Sequence, residues 1–66
     1  MNAPRIDHIG IVVDDLEPAI AALSRMLPGA PLTLRSVPDA GLEVAEFAAA
    51  NLIVELLRYT DPGDGF

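Results

Sequence analysis

Residues 6–13 read Ile6-Asp7-His8-Ile9-Gly10-Ile11-Val12-Val13, and the architecture of the chain follows from this stretch. It is rich in β-branched residues and closes on Asp14-Asp15, so it reads as a strand. Side chains alternate along a strand. Ile6, His8, Gly10 and Val12 share one face, and Asp7, Ile9, Ile11 and Val13 the other. Past Asp7 the second face is plain core. The first carries the only histidine in the protein and, two residues on, a glycine. A missing side chain beside an imidazole is expected to leave room for a close approach to the sheet.

Working outward, Asp14 or Asp15 is placed to cap a helix by accepting a free backbone N–H. Leu16, Ile20, Leu23 and Leu27 follow at steps of four, three and four, which is the apolar stripe of an amphipathic helix. Glu17 and Pro18 suit its first turn, and Pro28-Gly29 ends it. Leu32 to Val37 alternates as a short strand. Pro38-Asp39-Ala40-Gly41 is a turn, and Leu42 to Phe47 is a second strand beyond it. Ala48 to Asn51 connects to a further strand, Leu52 to Tyr59. The order is β-α-β-β-β, an α+β class. Residues 1–66 form one module, with 60–66 as a tail or linker.

Sixty-six residues make one small domain, and a chain of this size buries only about 60% of its unfolded surface. No cysteine is present to add a disulfide or a thiolate metal site, yet 52% of the residues are hydrophobic. So much apolar surface on so small an interior points to a partner subunit or to further chain. The net charge is −6, from ten carboxylates against four arginines, which argues against nucleic acid and anionic membrane as partners. No apolar run approaches the ~18 residues of a membrane span. The opening Met-Asn-Ala-Pro-Arg-Ile-Asp has neither a signal core nor a basic leader, so a cytoplasmic protein is the expectation.

Two residues are candidates to carry chemistry. Glu55 sits in Leu52-Ile53-Val54-Glu55-Leu56-Leu57, apolar on both sides. An ionised carboxylate there costs several kcal/mol unless it is paired or binds a metal. The plain alternatives are an exposed edge strand or an ion pair with an arginine. His8 taken alone fits a hydrogen-bonded core residue as well as a ligand. Together, an imidazole nitrogen and a carboxylate oxygen suit a divalent metal.

Ile6-Asp7-His8-Ile9-Gly10 with the helix that follows it, then Pro38-Asp39-Ala40-Gly41-Leu42-Glu43-Val44-Ala45-Glu46-Phe47, then Asn51 to Leu57, resembles the N-terminal module of the vicinal oxygen chelate superfamily. This is the glyoxalase, bleomycin-resistance and dioxygenase fold, and within it the likeness is greatest to the methylmalonyl-CoA epimerases. The resemblance spans about residues 5 to 59 and implies a single βαβββ module, two of which pair to form a cupped sheet. It implies that His8 on the first strand and Glu55 on the last bind the metal, which chelates two substrate oxygens and stabilises an enolate.

Members usually hold two modules in one polypeptide, and only one is present here. If two copies pair about a two-fold axis, His8 and Glu55 meet their own images in a shared His₂Glu₂ site. Such a site suits Zn, Ni, Co, Mn or Fe(II). The expected partners are therefore a second copy of the chain and a small carbonyl or acyl-CoA substrate. Epimerase-like or glyoxalase-like chemistry also needs a residue to move a proton beside the carbonyl. Glu46 is preferred over Glu43 because it shares a face with Leu42 and Val44, and Glu55 is the other carboxylate candidate. A solvated strand face is the plainer reading of Glu43 and Glu46. Arg35 and Arg58 are candidates for a substrate phosphate or carboxylate, or plain surface. Two other functions fit the same module: a drug-sequestering binding protein, and an inactive half-domain.

Overall fold

Both edges of the sheet are reached through the helix, and this decides which face is covered. In the computed structural model, which describes Pro4 and residues 6–60, the chain forms β1 (His8–Val12), α1 (Leu16–Met26), β2 (Leu32–Val37), a short 3-10 helix (Pro38–Ala40), β3 (Leu42–Ala48) and β4 (Ile53–Tyr59). It is a small α+β domain with one helix on a mixed four-stranded sheet of order β1-β4-β3-β2. β1 runs parallel to β4, and the other neighbours are antiparallel. β1 and β2 are thus opposite edges, joined by α1, which must cross the two middle strands.

The expected stripe lands there. Leu16, Ile20, Leu23 and Leu27, with Ala19, Val13 and Ala30, pack on a core of Ala45, Phe47 and Leu56. Asp15 occupies the cap position with extended backbone, φ −142° and ψ 120°, but its side chain makes no capping hydrogen bond, contrary to the expectation for Asp14 or Asp15. The helix ends as its sequence dictates: Pro28 cannot donate, and Gly29 follows with φ 81°. Gly41 also takes the left-handed region, φ 61°, closing the turn with its N–H on the Pro38 carbonyl at 3.0 Å.

β2 has its expected bounds. The first strand is shorter than expected, because its only partner, β4, begins at Ile53 opposite His8. Asp7 and Val13 still join that ladder at its ends, through Ile53 N–H to Asp7 O at 3.0 Å and Val13 N–H to Leu57 O at 2.8 Å. The last strand starts at Ile53 rather than Leu52, since Leu52 closes the β3–β4 turn by accepting from Ala49 N–H. The expected tail lies outside the described residues apart from Thr60, whose N–H bonds to Gly41 O at 2.7 Å.

The molecule is a slab 15 Å through its thinnest dimension, room for a sheet and one helix layer only. Among the described residues no helix or strand packs on the far side of the sheet. Even on the near side the helix spans the centre alone, so Ile9 and Ile11 on β1 and Leu32 and Leu34 on β2 stay exposed. Among the described residues no helix is long and apolar enough to cross a membrane.

Candidate metal centre

Register decides what meets on the open face. Residues paired across a ladder point to the same side. Gly10 pairs with Glu55, Glu46 with Glu55, and Thr33 with Glu46. His8 and Gly10 of β1, Glu55 of β4, Glu46 of β3 and Arg35 of β2 therefore project away from the helix.

They form one connected row. His8 Nε2 lies 2.9 Å from Glu55 Oε1. Arg35 splits its fork, donating from Nη2 to Glu55 Oε2 and from Nη1 to Glu46 Oε1, each at 3.1 Å. Among the described residues Glu55 is the one buried charged side chain, 8% exposed, and its neighbours account for that. Both of its oxygens are hydrogen-bonded, as a sequestered carboxylate requires. The His8 hydrogen bond and, after it, the Arg35 bond hold its pKa below the usual carboxylate value against the opposing effect of burial. In return, the hydrogen bond and charge of Glu55 raise the pKa of His8.

Several expected candidates are sorted by this geometry. His8 and Glu55 come together, and Glu46 joins them through Arg35. Glu43 does not: strand alternation turns it to the helix side, where Arg58 Nη1 holds its Oε1 at 2.8 Å. Arg58 also donates from Nε to the Asp14 carbonyl at 3.2 Å, so it ties β4 to the β1–α1 turn and lies away from the row. The space expected over Gly10 is taken by Leu57, whose Cδ1 would stand 3.2 Å from a β-carbon placed there. Arg35, expected to meet a substrate phosphate or carboxylate or to be plain surface, instead makes the arginine ion pair that was the plain alternative for Glu55. Its position as the one charge on the open face of β2 was visible, but the register that delivers it to two carboxylates was not.

One copy presents this row on an uncovered sheet rather than in a cup. Two grooves of about 440 Å³ lie elsewhere, one between Leu16 and Ile20 of α1 and Leu34 and Ser36 of β2, the other beside Leu27, Ala30 and Ala48. Among the described residues no group of three or more histidine and acidic side chains is gathered closely enough to hold an ion within a single chain. The chain matches no family model, and no curated protein matches it.

Proposed function

We propose that this chain is a half-size glyoxalase-like module of the vicinal oxygen chelate type, in which two copies hold one divalent ion between His8 and Glu55 of each. Acting in the cytoplasm, it would turn over a small carbonyl or acyl-CoA substrate in the manner of methylmalonyl-CoA epimerase. The observation that carries this reading is the 2.9 Å separation of His8 Nε2 and Glu55 Oε1 on the face that the helix leaves open. Ligand bonds of about 2.0–2.2 Å place neighbouring donors about this far apart, so both atoms can serve one ion with little movement. Two donors per chain leave the set incomplete, and a two-fold partner supplies the other two. Val12, exposed on the same face as His8, is an apolar side chain that a second copy would cover.

A bound divalent ion would supply positive charge at two substrate oxygens and so favour an enolate-like transition state. The chain's own residues do the rest. His8 must be neutral to donate its lone pair, and Glu55 must be ionised. Arg35 keeps Glu55 ionised and fixed. Glu46, on the same face and within reach of Arg35, is the carboxylate placed to move a proton.

A second reading is favoured by a specific observation: Glu55 is satisfied by His8 and Arg35 without any metal. The same face would then serve a non-catalytic sequestering module or a bare structural half-domain. Metal content measured together with mass in solution separates these. One ion per dimer, lost in His8→Ala and Glu55→Gln, supports the enzyme. A dimer without metal supports sequestration, and a monomer without metal leaves the half-domain.

A further inference from the structure

β2 is an outer strand of the sheet and pairs with β3 alone. Ala48 N–H donates to Pro31 O at 3.0 Å, and the register that sets Leu32 against Phe47 puts these two residues opposite each other. Along an antiparallel ladder, hydrogen-bonded and non-hydrogen-bonded pairs alternate. Counting on from Pro31, the backbones turned inward to β3 are those of Thr33, Arg35 and Val37. Leu32, Leu34 and Ser36 therefore aim their N–H and C=O groups out of the sheet. Their side chains lie on the helix side. Exposed edges are commonly guarded by a charge. The one charge on β2 is Arg35, and its fork is folded back onto Glu46 and Glu55 on the other face. The edge is left with Leu32 41% and Leu34 63% exposed.

A groove of about 440 Å³ lies beside this edge, between Leu16 and Ile20 of α1 and Leu34 and Ser36 of β2. Glu17 lines it too, and Asp39 sits in the turn just past the end of β2. Among the described residues neither carboxylate has an ion-pair partner. We propose that this edge docks an extended peptide as a fifth, antiparallel strand, with apolar residues at alternate positions and lysine or arginine at its N-terminal end. Its backbone pairs with the outward groups of Leu32, Leu34 and Ser36. Residues opposite those three point to the helix side, so the apolar ones face the groove. The antiparallel direction brings the N-terminal end to Ser36 and the acidic rim, where a cation is attracted. A second copy is the poorer occupant, because it brings its own net charge of −6 to that rim. The site is on the opposite edge from His8 and does not depend on the metal reading.

The test is fluorescence anisotropy of labelled peptides titrated with the full chain at low salt, with far-UV circular dichroism on every variant. The probe is Lys-Lys-Val-Thr-Leu-Thr-Val, which sets its leucine opposite Leu34. The wild type should bind it about threefold or more tightly than Glu-Glu-Val-Thr-Leu-Thr-Val, and added salt should narrow the difference. N-methylating the peptide's leucine removes one ladder donor and should weaken binding roughly tenfold. Leu34→Ser takes away the apolar wall of the groove and should also weaken it roughly tenfold. Glu17→Gln should keep the binding but narrow the preference for the lysine peptide. His8→Ala should bind as the wild type does.

A wild type that leaves the lysine peptide unbound at millimolar concentration overturns the proposal. Binding indifferent to the N-methyl group or to Leu34→Ser does the same, and equal affinity for the two peptides removes the cationic partner. If Leu34→Ser does not fold, the methylated peptide and Glu17→Gln decide. Sedimentation of the chain alone supplies the remaining outcome. Self-association that Leu34→Ser abolishes and His8→Ala leaves intact puts a second copy on this edge, against the proposal. A chain that takes up no metal, yet binds the lysine peptide on the terms above, refutes the metal site while the docking edge stands.

Discussion

His8 Nε2 reaches Glu55 Oε1 at 2.9 Å although the residue registered opposite Glu55 on β1 is Gly10. The imidazole leans along the strand past a position with no side chain, and the pair couples proton binding at both residues. Its pH dependence has a definite sign. His8 has its pKa raised from 6.5, so its contribution to stability is complete below 6.5 and is lost as pH rises through the raised value. Glu55 has its pKa lowered from 4.5, so its contribution is present above 4.5 and is lost as pH falls through the lowered value. Urea midpoints should therefore be highest in the weakly acidic range. His8→Gln should flatten the alkaline side of that profile, and an identical slope in both proteins would separate His8 from the effect.

Phe47 is 1% exposed and sits where the helix stripe meets β3. Phe47→Ala should cost about 3–5 kcal/mol. A domain this small has total stability on the order of 3–10 kcal/mol, so the variant should be largely unfolded at room temperature. Circular dichroism at 222 nm would show it. A cooperative transition retained near the wild-type midpoint would mean that the core lies elsewhere.

Gly10 tests the packing on the open face. A β-carbon there meets only the tip of Leu57, at 3.2 Å, and that tip can swing aside. Gly10→Ala should change stability by less than about 1 kcal/mol, since the gain in strand propensity offsets the adjustment. Gly10→Val adds two methyls against the same side chain and should cost more, with part of the loss recovered in Gly10→Val/Leu57→Ala. No recovery would show that the valine clashes with something other than Leu57.

The helix stripe, the Pro28-Gly29 stop and the face of each strand were legible because they depend on local periodicity and local turn chemistry. The partners of each charge were less so. Placing the β3–β4 turn one residue early at each end pairs Phe47 with Leu52, whereas the actual ladder pairs Phe47 with Val54. That shift keeps every side chain on its correct face and yet changes which carboxylates stand opposite each other. Glu46 against Glu55, and Arg35 between them, therefore emerged only with the register. Glu43 was readable as lying on the other face from Glu46, but its capture by Arg58 joins residues from two strands whose pairing the sequence does not state.

The two roles of Glu55, ion partner and metal ligand, predict a crossing of stabilities that neither role gives alone. In a metal-bound two-fold dimer, two Glu55 carboxylates offset the charge of a divalent ion, and Glu55→Gln should weaken both metal uptake and dimerisation. After chelation the sign reverses. The same two carboxylates then face each other across the axis, with Arg35 and His8 of each chain beside them, and their repulsion opposes association. Glu55→Gln keeps the shape and can still hydrogen-bond to Arg35, but it removes that repulsion. Sedimentation in added Zn²⁺ should therefore show the wild type more strongly dimeric than Glu55→Gln, whereas in excess EDTA the variant should associate as well as or better than the wild type. Because the chelated effect is electrostatic, raising the salt concentration should narrow the gap between the two proteins. A wild type whose dimer fraction ignores both EDTA and salt would place Glu55 away from any shared axis and leave it the one role of ion partner to His8 and Arg35.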